Sequence, residues 1–131
     1  MIGLDTNVLL RYLLQDDEVQ GEKASRAIGR AAARNEPLFI SVVVLCEAVW
    51  VLESAYGYRK AEIVGVLDEL LETGGFEIEQ RDLVRTSLGD YRSNKADFAD
   101  CWIGRTSEAH GCGQTLTFER ALKALGTFRV L

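Results

Sequence analysis

The chain has 131 residues, 47% hydrophobic and 27% charged, with a formal net charge of −5, the balance of a folded soluble domain and not of a disordered or fibrous chain. Its single proline, Pro37, and the lack of repeats or low-complexity segments exclude a Pro-rich linker and a solenoid, and the length suits one domain spanning 1–131. The acidic balance speaks against a nucleic-acid partner held by charge alone, unless several acids neutralise bound cations.

The chain opens with a short apolar run, residues 2–4, that reads as a buried strand stopped by Asp5. Residues 6–14 place apolar side chains at helical spacing, and residues 17–34 are Ala-rich with acids first and bases last, as a helix dipole prefers. A second strand is expected at 38–40, with Ser41 capping a helix over 42–56 that Gly57 ends. A helix over 59–72 follows, then the Gly74-Gly75 turn and an alternating strand at 76–79. Helices at 82–92 and 97–110, a strand at 115–117, a short helix at 119–125 and a strand at 128–131 complete the pattern. Five short strands separated by helices predict an α/β domain with a mainly parallel sheet. In such sheets the ligand site lies beyond the carboxyl ends of the strands.

The three cysteines, Cys46, Cys101 and Cys112, form no C-x-x-C pair, and His110 is the only histidine, so neither a disulfide framework nor a zinc site is expected. Asp5, Asn7 and Arg11 interrupt the N-terminal apolar stretch, and Glu47 interrupts the run 38–52, so neither a signal segment nor a membrane span is expected. The expected setting is the cytoplasm, with no membrane partner.

The acids stand where that rule puts a ligand site. Asp5 is the first polar side chain after strand one and serves equally well as a helix cap or a site residue. Glu47 shares its helix face with Val43, Val44, Trp50 and Val51, so it is either partly exposed or buried with a cation, an arginine or preferably a metal. Asp97 and Asp100, three apart at a helix start, share a face and also fit a capping box. Glu119 follows a strand and begins a helix, where the dipole welcomes an acid. Thr117 beside it could hydrogen-bond a carboxylate or a bound water.

If these ends converge, each pair of like charges at ~4 Å and an effective dielectric near 20 repels by roughly 4 kcal/mol. One or two divalent cations would relieve that repulsion. An all-oxygen donor set without His or Cys selects Mg²⁺ or Mn²⁺. Phosphodiester hydrolysis is a common use of such a set, with paired metals about 3.5–4 Å apart.

The opening Ile2-Gly-Leu-Asp5-Thr-Asn7-Val-Leu-Leu, the segment from Ser41 to Glu47, Ala96-Asp97-Phe-Ala-Asp100-Cys-Trp-Ile and Thr115-Leu-Thr-Phe-Glu119 together resemble the PIN domain, and more narrowly the VapC-type toxins of bacterial toxin–antitoxin pairs. Each motif is weak alone; four in order across the chain are specific. The resemblance implies a three-layer α/β/α sandwich with a five-stranded parallel sheet and a Mg²⁺- or Mn²⁺-dependent endoribonuclease. By position Asp5, Glu47 and Asp100 match the family's core acids, and Asp97 matches an additional acid, as ligand or support. Glu119 stands where the family more often has Asp. The resemblance also implies a homodimer and a small antitoxin partner that silences the enzyme.

RNA needs a cation to hold it. Lys23, Arg26, Arg30 and Arg34 run along one helix face, which reads as a solvated face, whereas Arg11, under two turns past Asp5, is the better candidate for a phosphate contact. A metal-dependent phosphatase also begins with an Asp after strand one, but the haloacid-dehalogenase pattern needs a second acid where Asn7 stands. A non-catalytic PIN-like domain that binds RNA or a partner is the remaining alternative.

Overall fold

A computed structural model describes residues 1–131. In chain order it has β1 (Ile2–Gly3), α1 (Thr6–Leu14), α2 (Glu18–Ala33), β2 (Leu38–Ile40), α3 (Val42–Ser54), α4 (Lys60–Glu72), β3 (Phe76–Ile78), α5 (Arg81–Ser93), α6 (Phe98–Ala109), β4 (Thr115–Thr117), a 3₁₀ helix (Arg120–Ala124) and β5 (Phe128–Val130). The α/β alternation expected from periodicity is therefore present, with all strand pairs parallel.

The caps explain several boundaries. Asp5 Oδ1 accepts from Val8 N at 2.9 Å to start α1, and Asp17 Oδ1 accepts from Gln20 N at 2.9 Å to start α2. Ser41 caps α3 through Val44 N, and Glu79, just past β3, accepts from Val42 N at the same helix end. Helix α3 stops at Ser54, two residues before the expected end, and Gly57 lies beyond it in a left-handed turn at φ 63°. The short helix after β4 is 3₁₀, not α, as suits a turn of only five residues.

Two expectations need correction. Strand β1 is exposed rather than buried, with Ile2 43% accessible. The strands also do not hydrogen-bond as one five-stranded sheet: β1-β2-β3 form one parallel sheet and β4-β5 another. No strand exceeds three residues, and β1 has two. A strand that short offers hardly one ladder bond per edge, and β1 uses its own on β2.

The core is one cluster of 28 buried residues drawn from every helix and from β2, β3 and β5. Helix α1 packs on α2 and α3, α5 packs on α4 and α6, and α3 touches α6. Gly104 in α6 allows the closest approach: a Cβ there would lie 2.7 Å from Phe128 Cε2 and collide with the Thr127 hydroxyl. No helix is long and apolar enough to cross a membrane.

Candidate metal centre

The carboxylates come together as two sets. In the first, Asp5 leaves β1 and caps α1 through one oxygen, and the next residue, Thr6, donates its hydroxyl to Glu47 Oε1 at 2.9 Å. Of these two neighbours, Asp5 thus caps α1 and Thr6 reaches the second turn of α3. Sequence could not show the Thr6 contact, because its partners are 41 positions apart.

The surroundings of Glu47 differ from the sequence expectation. Glu47 is exposed, and its helical neighbours Val43 and Trp50 are each 68% accessible. Helix α3 is apolar nearly all round, so an apolar neighbourhood does not mark its buried side. Its core-facing stripe is Val42, Leu45, Ala48, Val49 and Leu52. A burial penalty therefore does not argue for a cation at Glu47; its bond to Thr6 sets it beside the start of α1, next to Asp5.

The second set is Asp97, Asp100 and Glu119. Asp97 occupies the N-cap position of α6, yet its side chain makes no capping bond, so the capping-box reading fails and the carboxylate is uncommitted. Glu119 stands at the N-cap of the 3₁₀ helix, also without a capping bond. Half-buried Asp100 lies in the first turn of α6. Burial first, and then the negative charges of Asp97 and Glu119, push its carboxyl above the usual aspartate range. Three acids from α6 and the end of β4 thus share one field, which includes the Glu119 that sequence left least certain.

No three His, Cys, Asp or Glu side chains converge closely enough to grip an ion as they stand. The donors nevertheless fit a hard divalent cation: all are carboxylates, those of Asp97, Asp100 and Glu119 accept no hydrogen bond, and the only histidine, His110, is engaged with Thr106 O at the far end of α6.

Two expected auxiliaries have other work. Arg11 donates to Asp16 at 3.1 Å and to Gln20 at 2.7 Å, and Tyr56 donates to the other Asp16 oxygen at 2.7 Å, so the guanidinium fastens α1 to the start of α2. Thr117 Oγ1 accepts from Glu119 N at 3.0 Å and meets no carboxylate. The hydroxyl that holds an acid is that of Thr6.

Sequence reading also missed Lys60. Its ammonium donates to Tyr91 O at 2.7 Å and Asn94 O at 2.5 Å, and lies 4.1 Å from the centre of the Tyr91 ring. The Tyr91 hydroxyl donates to Glu53 Oε1 of α3 at 2.8 Å, and the ring meets Phe98 edge-on. This network ties α3 and α4 to the loop that delivers Asp97. Cys101 is fully buried in the core beside Asp100, and burial raises its thiol to about 11, so it packs and does not react.

A parallel α/β fold with acids clustered at strand and helix ends defines a class, and comparison with known families agrees: the PIN domain model matches residues 2–127. The chain belongs to the PIN domain family. It is similar to a VapC ribonuclease of Aquifex aeolicus (strain VF5), with 28% identity over 123 residues, covering 94% of this chain and 90% of that protein.

Proposed function

We propose that this protein is a Mg²⁺- or Mn²⁺-dependent endoribonuclease and the toxin of a type II toxin–antitoxin pair. The observation that carries the reading is the second acid set: Asp97 and Glu119 occupy helix starts without capping them, and their charge bears on half-buried Asp100. A half-buried acid that feels the charge of two uncommitted acids is in a state a divalent cation would stabilise. The ligand set in this reading is Asp5, Glu47, Asp97, Asp100 and Glu119, with the two sets joined into one site through the packing of α3 on α6. When bound, the cation would supply a nucleophile from water at neutral pH and offset charge on the phosphate and the leaving oxygen.

The chain's own residues have distinct roles. Asp5 keeps one oxygen on the Val8 amide, which fixes its position and leaves the other for a cation. Thr6 orients Glu47 and leaves the second Glu47 oxygen free. Asp97 and Glu119 are exposed and make no capping bond, so both carboxylates remain available to a cation. Two or more of these carboxylates also repel an RNA strand, so metal loading should strengthen RNA binding beside them.

Partners follow from the same reading. RNA is the substrate, and a small antitoxin protein would silence the enzyme. A homodimer would cover apolar side chains such as Val43 and Trp50, exposed here in the single chain. An open reading frame for the antitoxin is expected next to this one, and expression of the toxin alone should arrest growth.

Cleavage of tRNA or a short RNA with Mg²⁺ or Mn²⁺ tests the proposal, with EDTA, Asp5→Asn and Asp100→Asn run alongside. Cleavage that survives EDTA, or full activity in both variants, would sink it. The lack of three converged acids favours one other reading, a PIN-like domain that binds RNA without cutting it. Metal-stimulated binding with intact product-free RNA would select that reading.

A further inference from the structure

One hollow of the molecule is lined by three cations that no acid neutralises. Arg120, Lys123 and Arg129 line a depression of about 480 Å³ with Gln114, Phe128 and Val130, and no acid is among the lining residues. All three cations are exposed, and none takes part in any of the ion pairs of the molecule. The other candidates for holding an anion are weaker. Arg11 is bound to Asp16 and Gln20, and Arg26 to Glu22. Lys23, Arg30 and Arg34 are unpaired but strung along about 16 Å of helix, and of the three only Lys23 lines a hollow, one whose other cation is the already paired Arg11.

In a chain of net charge −5, three like-charged side chains around one hollow repel each other unless an anion lies between them. Arg120, which lines the hollow, directly follows Glu119 in the chain, so an anion held there is one residue from the last acid of the set. We propose that Arg120, Lys123 and Arg129 hold the phosphate backbone of the RNA strand as it runs past Glu119. This rests on the nuclease reading and adds the surface that an acidic enzyme needs to keep a polyanion beside its carboxylates. Arginine suits the role because its planar fork meets phosphate oxygens in pairs. Backbone contacts carry affinity and register, not base choice, so the hollow should not discriminate sequence.

The test uses the intact protein and a fluorescein-labelled single-stranded RNA in EDTA, with binding followed by anisotropy across a salt series. Each single-strand phosphate neutralised contributes about 0.7 to the slope of log K against log salt, so Arg120→Ala/Lys123→Ala/Arg129→Ala should flatten the slope by about 2 and weaken low-salt binding at least ~10-fold. Arg120→Lys/Arg129→Lys should keep most of the slope, and the thermal midpoint should not move, since all three side chains are exposed. Lys23→Ala/Arg30→Ala/Arg34→Ala should leave the slope unchanged. An unchanged slope in the first variant, or a loss that appears only in the α2 variant, would overturn the assignment. So would loss of binding to polyglutamate with RNA binding intact, which would assign the hollow to an acidic protein partner. Metal-dependent cleavage of the same RNA by the unaltered protein, measured in parallel, separates the two ideas. Cleavage with an unchanged slope defeats the hollow alone, whereas neither binding nor cleavage defeats both.

Discussion

The Thr6 hydroxyl and the Asp100 carboxyl are the side chains whose surroundings say most about how the acids work. Thr6 fixes one oxygen of Glu47. Thr6→Val keeps the shape, removes the donor and should lower RNA cleavage about 10- to 100-fold, with Thr6→Ser restoring most of it. Equal activity in Thr6→Val would show that Glu47 needs no orientation. Asp100 has a raised carboxyl, set by burial and then by Asp97 and Glu119. An acid raised in the folded state contributes stability below its unfolded pKa, and that contribution is lost as pH rises through the folded value. The metal-free protein should therefore lose stability as pH climbs out of the ordinary aspartate range. At neutral pH in EDTA, Asp100→Asn should melt higher than the parent while cleaving at least ~100-fold more slowly. A lower melting point for Asp100→Asn would contradict the repulsion. At this scale the sequence reading was uneven. The three-residue spacing of Asp97 and Asp100 on one helix face was legible. Glu47 was singled out for burial it does not have, because an all-apolar helix hides which of its sides is the core.

Among the elements, the loop between α5 and α6 is held from outside by Lys60. A cation at the first position of α4 is disfavoured by that helix's own dipole, yet the ammonium sits at the carbonyl end of α5, where a cation is favoured. A local rule is broken to serve a longer-range contact. Lys60→Met leaves two carbonyls without their donor and should cost about 2 kcal/mol in urea unfolding, less for Lys60→Arg. Gly104→Ala gains helix propensity but forces Thr127 and Phe128 aside, and a net loss of about 1–3 kcal/mol is expected from the same measurement. A neutral Gly104→Ala would mean that β5 moves away from α6 at little cost. Caps such as Asp5 and Ser41 were legible because their bonds lie within three residues. The Lys60 clamp was not, because its partners lie 31 and 34 positions away.

Over the whole molecule, alternation of strand and helix signals was enough to predict a parallel α/β fold, and the family match covers nearly the full chain. Strand pairing was harder to read: runs of two or three residues are recognisable as apolar, but which edges share hydrogen bonds depends on small offsets that composition does not encode. The charge of −5 now has a spatial reading, with uncommitted acids after β4 and at the start of α6 and unpaired cations lining a separate hollow. The central claim is that Asp5 and Glu47 on one side, and Asp97, Asp100 and Glu119 on the other, serve one divalent cation site. Calorimetric titration of Mn²⁺ into the protein, Asp5→Asn and Asp100→Asn tests it most directly, because the two substitutions fall in different sets. Saturable binding by the parent, weakened at least ~10-fold by each substitution, is the predicted result. Binding that either variant retains at parental strength, or a parent that takes up no Mn²⁺, would contradict it.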